Sequence, residues 1–257
     1  MIRVKDLDFA YGKHQILKGI NFSIDEASVI SLIGPNGSGK STLLKCISGL
    51  LPVRDNTVYL FGKPIENLEI KERAKLISYL PQNLGKLHGV NVYELISMGR
   101  APYHSSGWIS SEEDLEKIDW AIEYMNLNSM VHRPVEKLSG GEKQRVWIAM
   151  ILAQDTPIIL LDEPTTYMDL KYQYELLKTL KDIKISFNKT IIAVFHDINH
   201  AIKVSDYVFL LNEGRIYLSG TSDEVITEET VKKVYDIYVH VCNFRKCCHK
   251  VVVPGEI

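Results

Sequence analysis

Apolar and polar positions alternate through the first residues, Ile2 to Phe9, as I-R-V-K-D-L-D-F, the period of two that predicts a half-exposed strand. Tyr11-Gly12-Lys13 turns the chain and Ile20 to Ile24 alternates again, so an antiparallel β layer is expected ahead of the wholly apolar run Val29 to Ile33. That run reads as a strand buried on both faces, as in a parallel sheet. Ile158 to Leu161 and Thr190 to Phe195 have the same character, Thr57 to Phe61 and Ile77 to Gln82 add further strands, and Tyr207 to Leu211 turns at Asn212-Glu213-Gly214 into Arg215 to Gly220 as a hairpin.

Helical spacing fills the intervals. Ile65 to Lys75 is expected to be one helix, and Lys171 to Ile183 another. From Asn91 to Gln154 the composition turns helical. Asn91 and Glu94 form a capping-box start, and Ser110 or Ser111 caps a helix whose Leu115, Ile118, Ile122 and Met125 recur at spacings of three and four and form its core face. Between these two helices Gly99-Arg100-Ala101-Pro102-Tyr103 reads as a loop with exposed polar and aromatic groups. Ser139 can cap a third helix, with Glu142 at its third position and an apolar run through Val146, Ile148, Ala149, Ile151 and Leu152. Strands alternating with helices make this an α/β chain with a mainly parallel sheet.

Composition narrows the function classes only a little. The 257 residues are 46% hydrophobic and 24% charged, ordinary for a globular protein with a sizeable core. A formal net charge of −2 gives no basic surface for nucleic acid, so none is expected as a partner. No run approaches the roughly 18 apolar residues of a membrane helix, and the first residues lack an apolar signal core, so a membrane role is expected only through a partner. Of four cysteines, Cys242, Cys247 and Cys248 fall in the tail, where alternation on either side of Asn243 to Lys246 suggests a terminal hairpin. With His249 they could ligate zinc or iron, but the spacing fits no standard finger; reduced, idle thiols in a reducing cytosol are the default reading.

The chemistry is concentrated where the apolar strands end. After Ile33, the residues Gly34-Pro35-Asn36-Gly37-Ser38-Gly39-Lys40-Ser41-Thr42 fit G-x-x-x-x-G-K-[ST], a loop whose backbone N–H groups wrap phosphate oxygens at a helix N-terminus. Lys40 is placed for the β- and γ-phosphates and the Ser41 hydroxyl for Mg²⁺. Strand and helix flank the motif as it requires. Asp162 and Glu163 close the second buried strand; Asp162 suits a Mg²⁺ shell, and Glu163 a general base that polarises water. His196 ends the third, facing the same edge, where it can donate to a γ-phosphate. Gln82 can ligate a metal or orient a water. The glycines before the Ser139 helix leave N–H donors pointing outward, a site for an anion that must be brought to it.

The ordered set Gly34 to Ser41, Gln82, Leu138-Ser139-Gly140-Gly141-Glu142-Lys143-Gln144, Asp162-Glu163 and His196 resembles the nucleotide-binding subunit of an ATP-binding cassette (ABC) transporter over nearly the whole chain. That resemblance implies a single domain over residues 1–257: a P-loop NTPase core with its β layer in 1–83 and 155–257, and an inserted helical subdomain in 84–154 that carries the signature motif. It implies ATP and Mg²⁺, with Tyr11 stacking on adenine, Ser41, Gln82 and Asp162 around the metal, Glu163 as catalytic base and His196 as switch histidine. It implies a homodimer in which Ser139, Gly140 and Gly141 meet the partner's γ-phosphate. Thr165-Thr166-Tyr167-Met168-Asp169 stands where the family's dimer-interface loop usually reads S-A-x-L-D; Asp169 is retained and the other departures are expected to change packing. Glu142 replaces the commoner glutamine and is assigned a capping role.

Tyr79-Leu80-Pro81-Gln82, Gly99 to Tyr103 and Phe195-His196-Asp197-Ile198-Asn199-His200-Ala201 further resemble subunits that import iron–siderophore, haem or cobalamin complexes. The implied partners are two transmembrane permease subunits, docked in a groove formed by Asn83 to Pro102, and indirectly an extracytoplasmic substrate-binding protein. The implied location is the cytoplasmic face of the cell membrane, peripheral, through the permease. Rival readings are an ABC ATPase for zinc, manganese, molybdate or export, and a soluble ABC-type switch not tied to transport.

Overall fold

The computed structural model describes residues 1–85, 87–104, 111–166, 168–243 and 250–255. In chain order its strands and helices are β1 (Ile2–Tyr11), β2 (His14–Ile24), β3 (Val29–Ile33), α1 (Lys40–Ile47), β4 (Val58–Leu60), β5 (Lys63–Pro64), α2 (Ile70–Leu76), β6 (Ile77–Leu80), α3 (Val92–Ser97), α4 (Glu112–Tyr124), α5 (Gly140–Gln154), β7 (Ile158–Asp162), α6 (Leu170–Phe187), β8 (Thr190–Val194), α7 (Ile198–Val204), β9 (Tyr207–Asn212), β10 (Arg215–Gly220), α8 (Ser222–Val225), α9 (Glu228–Tyr235), β11 (Val239–Asn243) and β12 (Lys250–Pro254).

Six strands form the central sheet in the order β10-β9-β3-β8-β7-β6, parallel except for β10. Every side chain of β3, β7 and β8 is buried, which explains their unbroken apolar runs. The alternation of the pleat splits these strands between two cores. Ile30, Leu32, Ile158, Leu160, Ile192 and Val194 face α1 and the antiparallel layer β2-β1-β4-β5; Val29, Ile33, Ile159, Leu161, Ile191 and Ala193 face α5, α6 and their neighbours. The carboxyl ends of β3, β8, β7 and β6 therefore open side by side on one edge, where ligands enter such sheets.

Three local expectations change. The single helix over Ile65 to Lys75 is two pieces, a 3-10 turn Ile65–Asn67 and α2, because Leu68 is drawn extended into the core and Glu72 accepts the Glu69 N–H (3.3 Å) to start a new helix. On α4, Ile118, Ile122 and Met125 are buried as the spacing requires, but Leu115 is 42% exposed. Asp114 turns inward in its place. It accepts from the Ser111 N–H (3.0 Å) and hydroxyl (2.8 Å), with Ser111 as the cap, and it pairs with Arg100 (2.7 Å).

Nor is Gly99 to Tyr103 an exposed loop. Met98–Tyr103 is a 3-10 turn pressed on α5 so closely that a Cβ on Gly99 would lie 2.3 Å from the Met150 carbonyl oxygen. Arg100 is buried, donating to the Ala153 carbonyl (2.7 Å) and lying over the Tyr103 ring (3.8 Å). At the other end of the chain β11 and β12 pair antiparallel, and the Asn199 amide of α7 both donates to the Val252 carbonyl (3.1 Å) and accepts its N–H (2.8 Å). Cys242 is a free, half-buried thiol on β11. Tyr167, Cys247, Cys248 and His249 lie outside the described residues.

Candidate functional site

The loop between β3 and α1 is bent by three glycines in the left-handed region, Gly34 (φ 145°), Gly37 (79°) and Gly39 (101°). At Gly34 no other residue fits: a Cβ would stand 2.1 Å from the Leu211 carbonyl oxygen and 2.9 Å from Ser38 Oγ. Gly39 caps α1 without a side chain, so the first N–H groups of that helix stay open toward the cleft.

Lys40 is buried and curls back over the loop, donating to the carbonyls of Gly34 (2.7 Å) and Pro35 (2.8 Å), with Ser38 Oγ at 3.5 Å. Desolvation lowers its pKa, against the pull of Glu163 and Asp162, which favour the charged form. An arriving phosphate can take these donors from the two carbonyls.

Next to it, the Ser41 hydroxyl donates to Asp162 Oδ1 (2.8 Å), and the Tyr79 hydroxyl donates to Asp162 Oδ2 (3.2 Å). Burial pushes the Asp162 carboxyl upward, opposed by these two hydrogen bonds, and neighbouring Glu163 raises it further. A serine hydroxyl, a carboxylate and the Gln82 amide oxygen are hard donors, the chemistry that suits Mg²⁺. Among the described residues no group of three or more His, Cys, Asp or Glu side chains forms a separate metal cluster.

Glu163 sits at φ 54°, a conformation that costs a non-glycine residue about 1 kcal/mol or more and turns its side chain back toward the loop. Two donors reach one oxygen of its carboxylate, Gln82 Nε2 and Thr166 Oγ1 (3.3 Å), and His196 Nε2 lies 2.6 Å from the other. His196 itself is half exposed. A cleft is lined by Asn36, Gly37, Gly39, Lys40, Ser41, Thr42, Glu163 and His196, with Ile16 of β2 on its far wall. The arrangement offers a phosphate cradle, a cation, hard oxygen donors and a carboxylate that can accept a proton from water.

Other expected residues lie apart. Tyr11 is 50% exposed at the end of β1, its ring edge-on to Phe9 with centroids 5.0 Å apart. Ser139, Gly140 and Gly141 do not line the cleft. Ser139 caps α5 by accepting the Glu142 N–H (3.3 Å) while Glu142 takes the Ser139 N–H (2.8 Å) and pairs with Arg133 (3.1 Å). Those contacts, the Ser139 N–H first, hold the Glu142 carboxyl below its usual range. Sequence reasoning gave no role at the carboxylates to Tyr79 or Thr166. No local signal marks Tyr79, because only the order of strands in the sheet sets it beside Asp162.

The family model for the ABC transporter matches residues 17–166. The iron(3+)-hydroxamate import ATP-binding protein FhuC of Bacillus subtilis (strain 168) is 42% identical over 236 residues, 92% of this chain and 88% of that protein. The petrobactin import ATP-binding protein FpuC of Bacillus anthracis is 39% identical over 94% of this chain and 89% of its own length. Among solved structures, the dimeric post-hydrolysis state of the ATP-binding cassette MJ0796, bound to ADP and Pi, superposes with a TM-score of 0.76 at 28% identity, covering 86% of this chain and 99% of that one.

Proposed function

This chain belongs to the ABC transporter family and is an ATP-hydrolysing enzyme, and from that premise we propose that it drives uptake of an iron–siderophore or similar metal chelate through a membrane permease. The observation that carries the reading is the gathering of Lys40, Ser41, Gln82, Asp162, Glu163 and His196 at one sheet edge of a chain similar to proteins named for siderophore import.

In this reading ATP lies with its phosphates on the N–H groups of Gly37 to Thr42 and its adenine on Tyr11. Lys40 leaves the Gly34 and Pro35 carbonyls for the β- and γ-phosphates. Ser41, Gln82 and Asp162 would hold Mg²⁺, which would neutralise charge on the phosphate oxygens. Glu163 orients a water in line with the γ-phosphate and accepts its proton. His196 and Gln82, both on Glu163 in the resting site, transfer their donors toward the γ-phosphate and the attacking water as the site fills. Ser139, Gly140 and Gly141 act on the nucleotide of a second copy.

Two permease subunits and an extracytoplasmic binding protein complete the assembly, and the ATPase sits on the cytoplasmic membrane face through the permease. No helix of the described residues is long and apolar enough to cross a membrane. Residues 84–154 form the helical subdomain, and the segment 83–102 that leads into it receives the permease. The deciding experiment is purification from membranes, followed by ATPase assay with the co-purifying permease and binding protein. Stimulation by a ferric siderophore is expected; recovery only as a soluble complex would sink the transport reading.

A further inference from the structure

Strand β6 hands one donor to each of the two carboxylates at the end of β7. Gln82, past the strand's end, reaches Glu163, while Tyr79, inside the regular ladder opposite Leu160, reaches Asp162. The two donors are held differently. Tyr79 is fixed by strand pairing and by its ring against the core shared with α1, whereas Gln82 follows Pro81 in irregular chain that can move.

The terminal torsion of an aspartate is broad, so a carboxylate with one partner can rotate its plane. Asp162 has a partner on each oxygen: Ser41 on Oδ1 and Tyr79 on Oδ2. Ser41 belongs to the phosphate loop and is itself a candidate metal donor, so its hydroxyl would serve the cation as well as Asp162. Tyr79 is the partner of Asp162 that stands outside the phosphate loop, on a regular strand.

Resting on the nucleotide-site reading above, we propose that Tyr79 is a positioning residue that orients Asp162 toward the divalent cation accompanying ATP, and stays in place while Gln82 moves. Hydrogen-bond partners behind a metal ligand typically govern affinity by about tenfold or more. Removing the hydroxyl alone leaves the ring and its packing.

The test compares the full chain with Tyr79→Phe and Asp162→Asn, titrating a non-hydrolysable ATP analogue by calorimetry in EDTA and in saturating Mg²⁺. In the parent, Mg²⁺ tightens binding, and Asp162→Asn abolishes the difference. Tyr79→Phe is expected to cut the Mg²⁺-dependent gain about tenfold, with the EDTA affinity and the unfolding midpoint almost unchanged. If Tyr79→Phe keeps the full gain, Tyr79 does not position Asp162. If the parent shows no gain, the metal-site reading itself falls and this inference with it. Equal weakening in EDTA and Mg²⁺ would also overturn it, marking Tyr79 as packing only.

Discussion

Arg100→Met tests whether the ion pair beneath the Met98–Tyr103 turn holds α4 to α5. Arg100 is 3% and Asp114 5% exposed at the side chain, so neither charge has water to fall back on. Methionine fills much of the arginine stem but removes three things: the 2.7 Å bond to Asp114, the 2.7 Å bond to the Ala153 carbonyl at the end of α5, and the cation over the Tyr103 ring. A buried pair broken on one side costs about 3–5 kcal/mol, because the remaining charge is stranded. For a chain of this size each kcal/mol moves the midpoint by roughly 2–4 °C, so a fall on the order of 10 °C is expected.

Urea unfolding with the double variant Arg100→Met/Asp114→Asn separates the stranded charge from lost packing: the double variant should be more stable than the sum of the two single losses allows. Acid adds a second reading. Burial alone would raise the Asp114 pKa, but hydrogen bonds from Arg100 and Ser111 outweigh it and hold the folded value below the usual one. Its stabilisation is therefore complete above the unfolded aspartate pKa of about 4 and is lost as pH falls through the lower folded value. Arg100→Met should lose the part of that acid-dependent component that Arg100 supplies, while the Ser111 bonds remain. A loss under about 1 kcal/mol, or strict additivity in the cycle, would refute the stranded-charge account.

Glu163→Gln should keep ATP binding and lower turnover by about 10²–10⁴-fold, trapping an ATP-bound dimer visible by size-exclusion chromatography; hydrolysis near the wild-type rate would remove Glu163 as the base. Gly34→Ala must move either the phosphate loop or β9, since its Cβ meets the Leu211 carbonyl at 2.1 Å, and it should weaken nucleotide binding more than tenfold in a direct titration. Unchanged affinity there would mean that the loop shifts without disturbing its phosphate-facing N–H groups.

What the sequence could express was whatever depends on near neighbours. The buried strands β3, β7 and β8 were legible because burial on both faces leaves an unbroken apolar run, and the phosphate loop because its backbone conformation needs glycine at fixed spacing. The caps at Asn91, Ser111 and Ser139 were legible for the same reason: a capping box is closed within four residues. Burial of Arg100 was not, since its partners Asp114 and Ala153 lie 14 and 53 residues away and an arginine beside glycine and proline reads as loop. Leu115 followed from periodicity, yet the third-position carboxylate of the cap takes the inward place. Tyr79 was invisible because its partner belongs to another strand, 83 residues on, and only sheet order makes them neighbours.

The placement of Ser139 has a consequence for how the site must be completed. Its N–H is already spent on Glu142 and its hydroxyl accepts the Glu142 N–H, so α5 begins as a closed cap rather than a free anion trap. Phosphate binding there requires either that the capping box opens or that the anion uses donors the box leaves free. Glu142 is held ionised by the Ser139 contacts and by Arg133, which adds like charge near an incoming phosphate. On the proposed dimer reading, closure therefore has to overcome this carboxylate as well as bring two copies together. A glutamine at that position would preserve the cap but leave Arg133 without its carboxylate, so on this reading the Glu142–Arg133 pair sets the local charge that the γ-phosphate meets.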